Sequence, residues 1–171
     1  MLGMGTTIKC GHCGKEWELT TLGQLKALEG ETKISHIPDW YQWERQQVRQ
    51  DILDGKYCLD TEVDIAMQVD YKAIYKVGSG RLIHNNNGFT LTGCDGKLHY
   101  VQKPQVHYSL YADYYWYEIA DVICVGDSEV HHFCFFKNGE SVAKMRLAAE
   151  EMYKLYRAKQ LPPVPENGEN P

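Results

Sequence analysis

The sequence has no long apolar run. Nowhere does it approach the ~20 consecutive apolar residues that a membrane-spanning helix needs. It has no basic excess either, since 18 Lys and Arg stand against 23 Asp and Glu, a formal net charge of −5. Nucleic acid wants a basic face for its phosphates, so that class of partner is set aside, as is simple electrostatic adhesion to anionic lipid. Met1-Leu2-Gly3-Met4-Gly5 lacks the basic-then-apolar pattern of a secretory signal. There is no dense cysteine framework. Of six cysteines, only Cys10 and Cys13 are neighbours, while Cys58, Cys94, Cys124 and Cys134 stand singly. Such spacing reads as reduced thiols in a cytoplasmic protein, mostly small core residues, rather than as disulfides. No Gly-x4-Gly-Lys-Ser/Thr pattern occurs, which excludes a P-loop.

What is present is enough for one domain and a small appendage: 171 residues, 43% of them hydrophobic. Residues 1–34 are Gly-rich and carry the Cys pair. In 35–56, Pro38, Asp39 and Gln42 form a helix-start pattern and Gly55 a stop, predicting a linking helix from Asp39 to Asp54. From Tyr57 to Phe136 the period is two. Val63, Ile65, Met67 and Val69 alternate with polar or small residues, as do Ala73, Tyr75 and Val77, then Val106, Tyr108 and Leu110, then Tyr115, Tyr117 and Ile119. Arg81–His84 and Phe89–Thr92 flank an Asn-Asn-Asn-Gly turn and predict a hairpin. Gly93-Cys94-Asp95-Gly96 reads as the next turn, Ile123 and Val125 as a further strand, and Val130–Phe136 as the last. From Ser141, Val142, Met145, Ala149, Met152 and Tyr156 fall at helical spacing, with Glu150 placed to pair with Lys154. The tail 161–171 holds four prolines and little to bury, a composition expected to stay disordered. The order of elements predicts a mainly β (α+β) fold. It is an antiparallel, pleckstrin-homology-like barrel of about seven strands over 57–160, closed by a C-terminal helix. One helix and a partial zinc ribbon precede it.

Cys10-Gly11-His12-Cys13-Gly14 is the most specific chemical pattern. Thiolates two residues apart can both reach one zinc ion, and glycines permit the tight turn. A structural zinc takes four ligands, and this chain has one such knuckle. Three readings stay open: a second knuckle upstream, completion by Cys58, Cys94 or a histidine, or an unmetallated or redox-active pair. Acid/base candidates are thin. His36 and Asp39 meet at a helix entrance, where Asp39 is better explained as a cap. His132 and Cys134 share a strand face, where a structural pair outweighs a catalytic dyad. No catalytic residue is assigned. Gly78-Ser79-Gly80-Arg81 reads as a hairpin turn rather than a phosphate loop. The aromatic run from Tyr108 to Tyr117 sends about half its rings outward. Tyr111, Tyr114 and Trp116 are therefore the candidate ligand or partner surface, weighed against simple packing.

The stretches Ile8-Lys-Cys-Gly-His-Cys-Gly-Lys-Glu-Trp17, His36-Ile-Pro-Asp-Trp-Tyr-Gln-Trp-Glu-Arg45, Gly80-Arg-Leu-Ile-His84 and Gly88-Phe-Thr-Leu-Thr-Gly93 resemble a known region. It is the C-terminal region following the catalytic domain in some Gram-positive bacterial 1-acyl-sn-glycerol-3-phosphate acyltransferase-like proteins. The resemblance spans about Gly3 to Tyr156. It implies a further Cys-x-x-Cys upstream of Met1, with Cys10 and Cys13 as half of a zinc site. The catalytic His-x4-Asp of that family is absent, because no histidine here has Asp five positions on. The expectation is a non-catalytic accessory module of phospholipid synthesis, cytoplasmic and peripheral to the membrane, that positions an acyltransferase at membrane lipid or at a partner protein. A protein- or peptide-binding adaptor, using a strand edge or the tyrosine strip, is the alternative. A cysteine-dependent enzyme built on Cys124 or Cys134 is the third reading.

Overall fold

In the computed structural model, residues 2–10, 13–68, 73–138 and 142–163 are described. They form eleven strands in two antiparallel sheets and two helices, a mainly β fold. The chain divides into two units, 1–47 and 48–171. The boundary falls inside the first helix.

The first unit is a four-stranded meander: β1 (Leu2–Met4), β2 (Thr7–Lys9), β3 (Glu16–Leu19) and β4 (Leu25–Ala27), paired in that order. Ile8 stands opposite Trp17, and Trp17 opposite Ala27. These residues, with Leu25 and Leu19, make a small core on which Trp40 packs edge-on, its ring 4.9 Å from that of Trp17. Trp40 belongs to α1 (Ile37–Leu53). This helix starts two residues before the expected Asp39. Asp39 sits inside the first turn, where a carboxylate suits the positive helix end, and is not the cap. Gly55 ends the helix as expected, with φ +70° and its N–H on the Ile52 carbonyl at 3.1 Å.

The second unit holds β5 (Leu59–Gln68), β6 (Ile74–Asn85), β7 (Gly88–Gly93), β8 (Leu98–Gln102), β9 (Tyr111–Trp116), β10 (Ala120–Gly126), β11 (His131–Phe136) and α2 (Val142–Arg157). The seven strands run β8-β7-β6-β5-β11-β10-β9 across one sheet. Two meanders, β5 to β8 and β9 to β11, are joined where β11 pairs with β5. No ladder joins β8 to β9 among the described residues, so the barrel is not closed by backbone pairing. One face buries Val63, Ile65, Leu82, Leu91, Ile123 and Cys134 against Val142, Met145 and Ala149 of α2. The other face buries Ala66, Val122, Phe133 and Phe135.

Several sequence expectations are corrected here. Val106–Leu110 is not a strand. Residues 103–110 form an irregular connection, begun by Pro104, which has no N–H to give a ladder. Gly78-Ser79-Gly80 is not a turn but part of β6. A Cβ at Gly80 would come within 2.1 Å of the Thr92 carbonyl, so the glycines Gly80 and Gly93 face each other where β6 and β7 approach most closely. Tyr117 and Ile119 lie in the β9–β10 turn rather than in a strand. On α2, Tyr156 is exposed while Leu147 and Leu155 are buried. Lys154 pairs with Glu151 at 2.7 Å, not with Glu150. Val69, Ser141 and most of the 161–171 tail fall outside the described residues.

Candidate docking surface

The β9–β10 turn is built without Gly, Asn or Pro, and it carries the backbone consequences. Tyr115, Tyr117 and Glu118 adopt φ of 47°, 49° and 60°, a region bulky residues seldom enter. Side chains and backbone hold it there. Asp121 Oδ1 accepts the Tyr115 N–H at 2.9 Å, Asp113 Oδ1 accepts that of Tyr114 at 2.8 Å, and the Tyr115 and Trp116 carbonyls take the N–H groups of Glu118 and Ile119. A register shift between Ala120 and Val122 accompanies the turn.

The result is a cluster of outward rings on a fixed base. Trp116 stacks on Phe133 (centroids 5.1 Å apart, planes 9° apart) and lies near-parallel to Phe135 at 5.8 Å. It is the anchor, half-buried, with Tyr111 edge-on to it and Tyr117 tilted against it at 4.6 Å. Tyr111 and Tyr114 are exposed, as are Tyr115 and Ile119, and Tyr117 is 76% exposed. Beside them lies a groove of about 510 Å³ floored by Ala66, Ile74, Trp116 and Phe135, with Tyr117 and Ile119 on its rim. Asp64 and Lys76 mark its polar edge. Lys76 and then Ser79 hydrogen-bond the Asp64 carboxylate and hold its pKa below the ordinary value.

The three residues chosen from the sequence therefore meet here, in different roles: Tyr111 and Tyr114 face solvent, while Trp116 supports the cluster. Tyr117 and Ile119 were missed because alternation alone placed them in a strand, and no turn-forming residue gave them away. Tyr108 sits elsewhere, edge-on to Tyr153 of α2 at 5.5 Å.

Cys10 and Cys13 lie on the β2–β3 hairpin tip, Cys10 half-buried and Cys13 exposed. Cys10 N–H donates to Lys15 O at 2.8 Å and Gly14 N–H to Cys10 O at 3.0 Å. His12 falls outside the described residues. Among the described residues, no three His, Cys, Asp or Glu side chains gather as a metal would require. Two thiols alone do not fit a closed four-ligand zinc site. Burial pushes the Cys124 thiol up to about 11 and that of Cys134 higher still. Cys134 Sγ lies 3.8 Å from the His132 carbonyl, so this pairing on the shared strand is to backbone.

No protein-family model matches this chain, and no curated protein does. Among the described residues, no helix is long and apolar enough to cross a membrane.

Proposed function

We propose that the chain is a non-catalytic docking module. In this reading residues 57–160 are a pleckstrin-homology-like barrel closed by the C-terminal helix, preceded by half of a zinc ribbon. The strand order, with a four-strand and a three-strand meander joined through the first and last strands, supports it. So does α2 packed on the inner sheet face. The context is the accessory region of a phospholipid-synthesis acyltransferase, which the sequence resemblance suggests.

The observation that carries the docking role is the cluster of Tyr111, Tyr114, Tyr115, Tyr117 and Ile119, held outward by a strained turn over the Trp116 base. Strain of this kind persists only where the surroundings impose it, and it gathers at functional sites. Asp113, Glu118 and Asp121 surround the cluster, in a chain of net charge −5. Acidic surroundings favour a protein partner with apolar and basic residues over an anionic membrane.

The test compares the native chain with a Tyr117→Ser, Ile119→Ser double variant, in capture of the acyltransferase domain and in flotation on neutral and anionic vesicles. Capture lost in the variant supports the protein partner. Flotation of the native chain, lost in the variant, moves the assignment to lipid. Equal behaviour of both proteins in both assays removes this surface from the function.

A further inference from the structure

A second cavity, of about 170 Å³, lies in the 48–171 unit where the sheet fails to close. It shares Tyr111 with the aromatic cluster and none of the turn residues 114–119. Its floor is one rung of the sheet: His84 stands opposite Phe89, and Phe89 opposite Gln102. The His84 and Phe89 rings stack at 3.8 Å with planes 6° apart. Gln102 is 5% exposed and His84 1% exposed.

Both polar side chains are half-used. Gln102 Oε1 accepts the Gly126 N–H at 3.0 Å, which fixes the orientation of the carboxamide. Its nitrogen, with two N–H donors, has no partner among the described residues. His84 Nδ1 lies 2.9 Å from the Tyr57 hydroxyl, and its Nε2 has no described partner. Burial keeps the ring neutral. The proposal below requires the tautomer in which the Tyr57 hydroxyl donates to Nδ1 and Nε2 carries the ring proton. Neither nitrogen is sealed from solvent, so each can meet an acceptor that enters the cavity.

The charge of the lining narrows the class. Lys103, His107 and His131 stand on it, together with Leu110 and Met152, and no Asp or Glu does. This is against the acidic balance of the whole chain. A void of roughly 150 Å³ is known to hold a benzene-sized molecule, so this one admits a compact organic ligand.

We propose that this seam cavity binds a small carboxylate with a compact apolar body, its oxygens on the Gln102 carboxamide and His84 Nε2, its charge toward Lys103, its body against Phe89, Leu110 and Met152.

Sodium benzoate is the probe, titrated into the full chain and followed by NMR of the Gln102 side-chain amide and the His84 ring. The expected result is saturable binding with a Kd on the order of 1 mM or tighter, as a ligand of that size permits. Neutral benzamide, of the same shape, binds more weakly. Lys103→Ala, an exposed position whose loss leaves the fold intact, weakens benzoate and leaves benzamide unchanged. Gln102→Leu abolishes benzoate binding. Because that variant also frees Gly126, its circular dichroism is checked first and Lys103→Ala carries the test if it unfolds. Absence of a saturable shift overturns the proposal and leaves the cavity to water. Benzamide binding as tightly as benzoate, or Lys103→Ala affecting neither, overturns the carboxylate assignment.

Discussion

Gln102 and Gly126 are joined by one hydrogen bond that does the work of a missing ladder. Gln102 Oε1, on the edge strand β8, accepts the Gly126 N–H on β10, near the far edge of the same sheet. The exposed His107, in the connection between β8 and β9, donates its Nε2–H to the Gly126 carbonyl at 3.0 Å. Both backbone polar groups of Gly126 are thus held by side chains. A Cβ at Gly126 would come within 2.1 Å of the Val130 carbonyl, so only glycine fits there.

Gln102→Leu keeps the volume and removes the acceptor. It leaves the buried Gly126 N–H without its partner, and the expected cost is about 1–3 kcal/mol. Urea unfolding monitored by fluorescence measures it. A Lys103→Ala control next door should stay within about 0.5 kcal/mol of the native chain, as an exposed substitution does.

Burial lowers the His84 imidazole from 6.5 to about 3. The folded state therefore binds the proton less readily than the unfolded one. The contribution is whole above pH 6.5 and is lost as pH falls from there toward 3. Burial also lowers His132, which works in the same direction. Between pH 6 and 4 the His84 term should make stability fall by up to about 1.4 kcal/mol per pH unit. His84→Gln should remove one proton's worth of that slope, whatever it does to absolute stability. Urea titrations at several pH values give the slope, and an unchanged slope in the variant would refute the assignment.

Trp116 and Tyr117 adjoin in sequence but should separate in effect. Trp116→Ala removes a half-buried ring stacked on Phe133 and Phe135, with an expected loss of about 2–3 kcal/mol, below the full-burial range. Tyr117→Ser removes an exposed ring and releases no core contact, so its effect on stability should stay within about 0.5 kcal/mol. If Tyr117→Ser destabilised the fold as much as Trp116→Ala, the exposed cluster would be a packing element and not a contact surface.

If Cys10 and Cys13 are half of a zinc site, as proposed, elemental analysis of the purified chain should find well under one zinc per molecule. One full equivalent that vanishes in Cys10→Ser would show that His12 or a second copy completes the site.

How much of this was legible depended on which physical signal each segment carries. Hydrophobic period marks the side a residue faces, and it located β5, the β6–β7 hairpin, β11 and α2. It cannot report φ. Tyr115, Tyr117 and Glu118 enter left-handed backbone against their own preference, so the turn that presents the aromatic cluster looked like a continuing strand. Gly78 and Gly80 failed the opposite way. Glycine signals either a turn or a close approach, and only the Thr92 carbonyl beside Gly80 distinguishes them. Tyr111, Tyr114 and Trp116 were legible as a cluster because aromatic density survives an error in the local element. The seam cavity was not legible, because His84, Gln102 and Gly126 are brought together only by the register of four strands.

The strained turn has one further effect. A strand at the end of a sheet offers its free N–H groups as a template for another chain to extend. At the end of β9 the Tyr114 N–H is already bound by the Asp113 carboxylate, and the Tyr115 N–H is turned to Asp121 of the neighbouring β10. The aromatic cluster thus sits beside a disabled template. Neighbouring molecules that meet there can touch rings but have fewer donors with which to continue the sheet, so a sticky surface is kept apart from fibrous self-assembly.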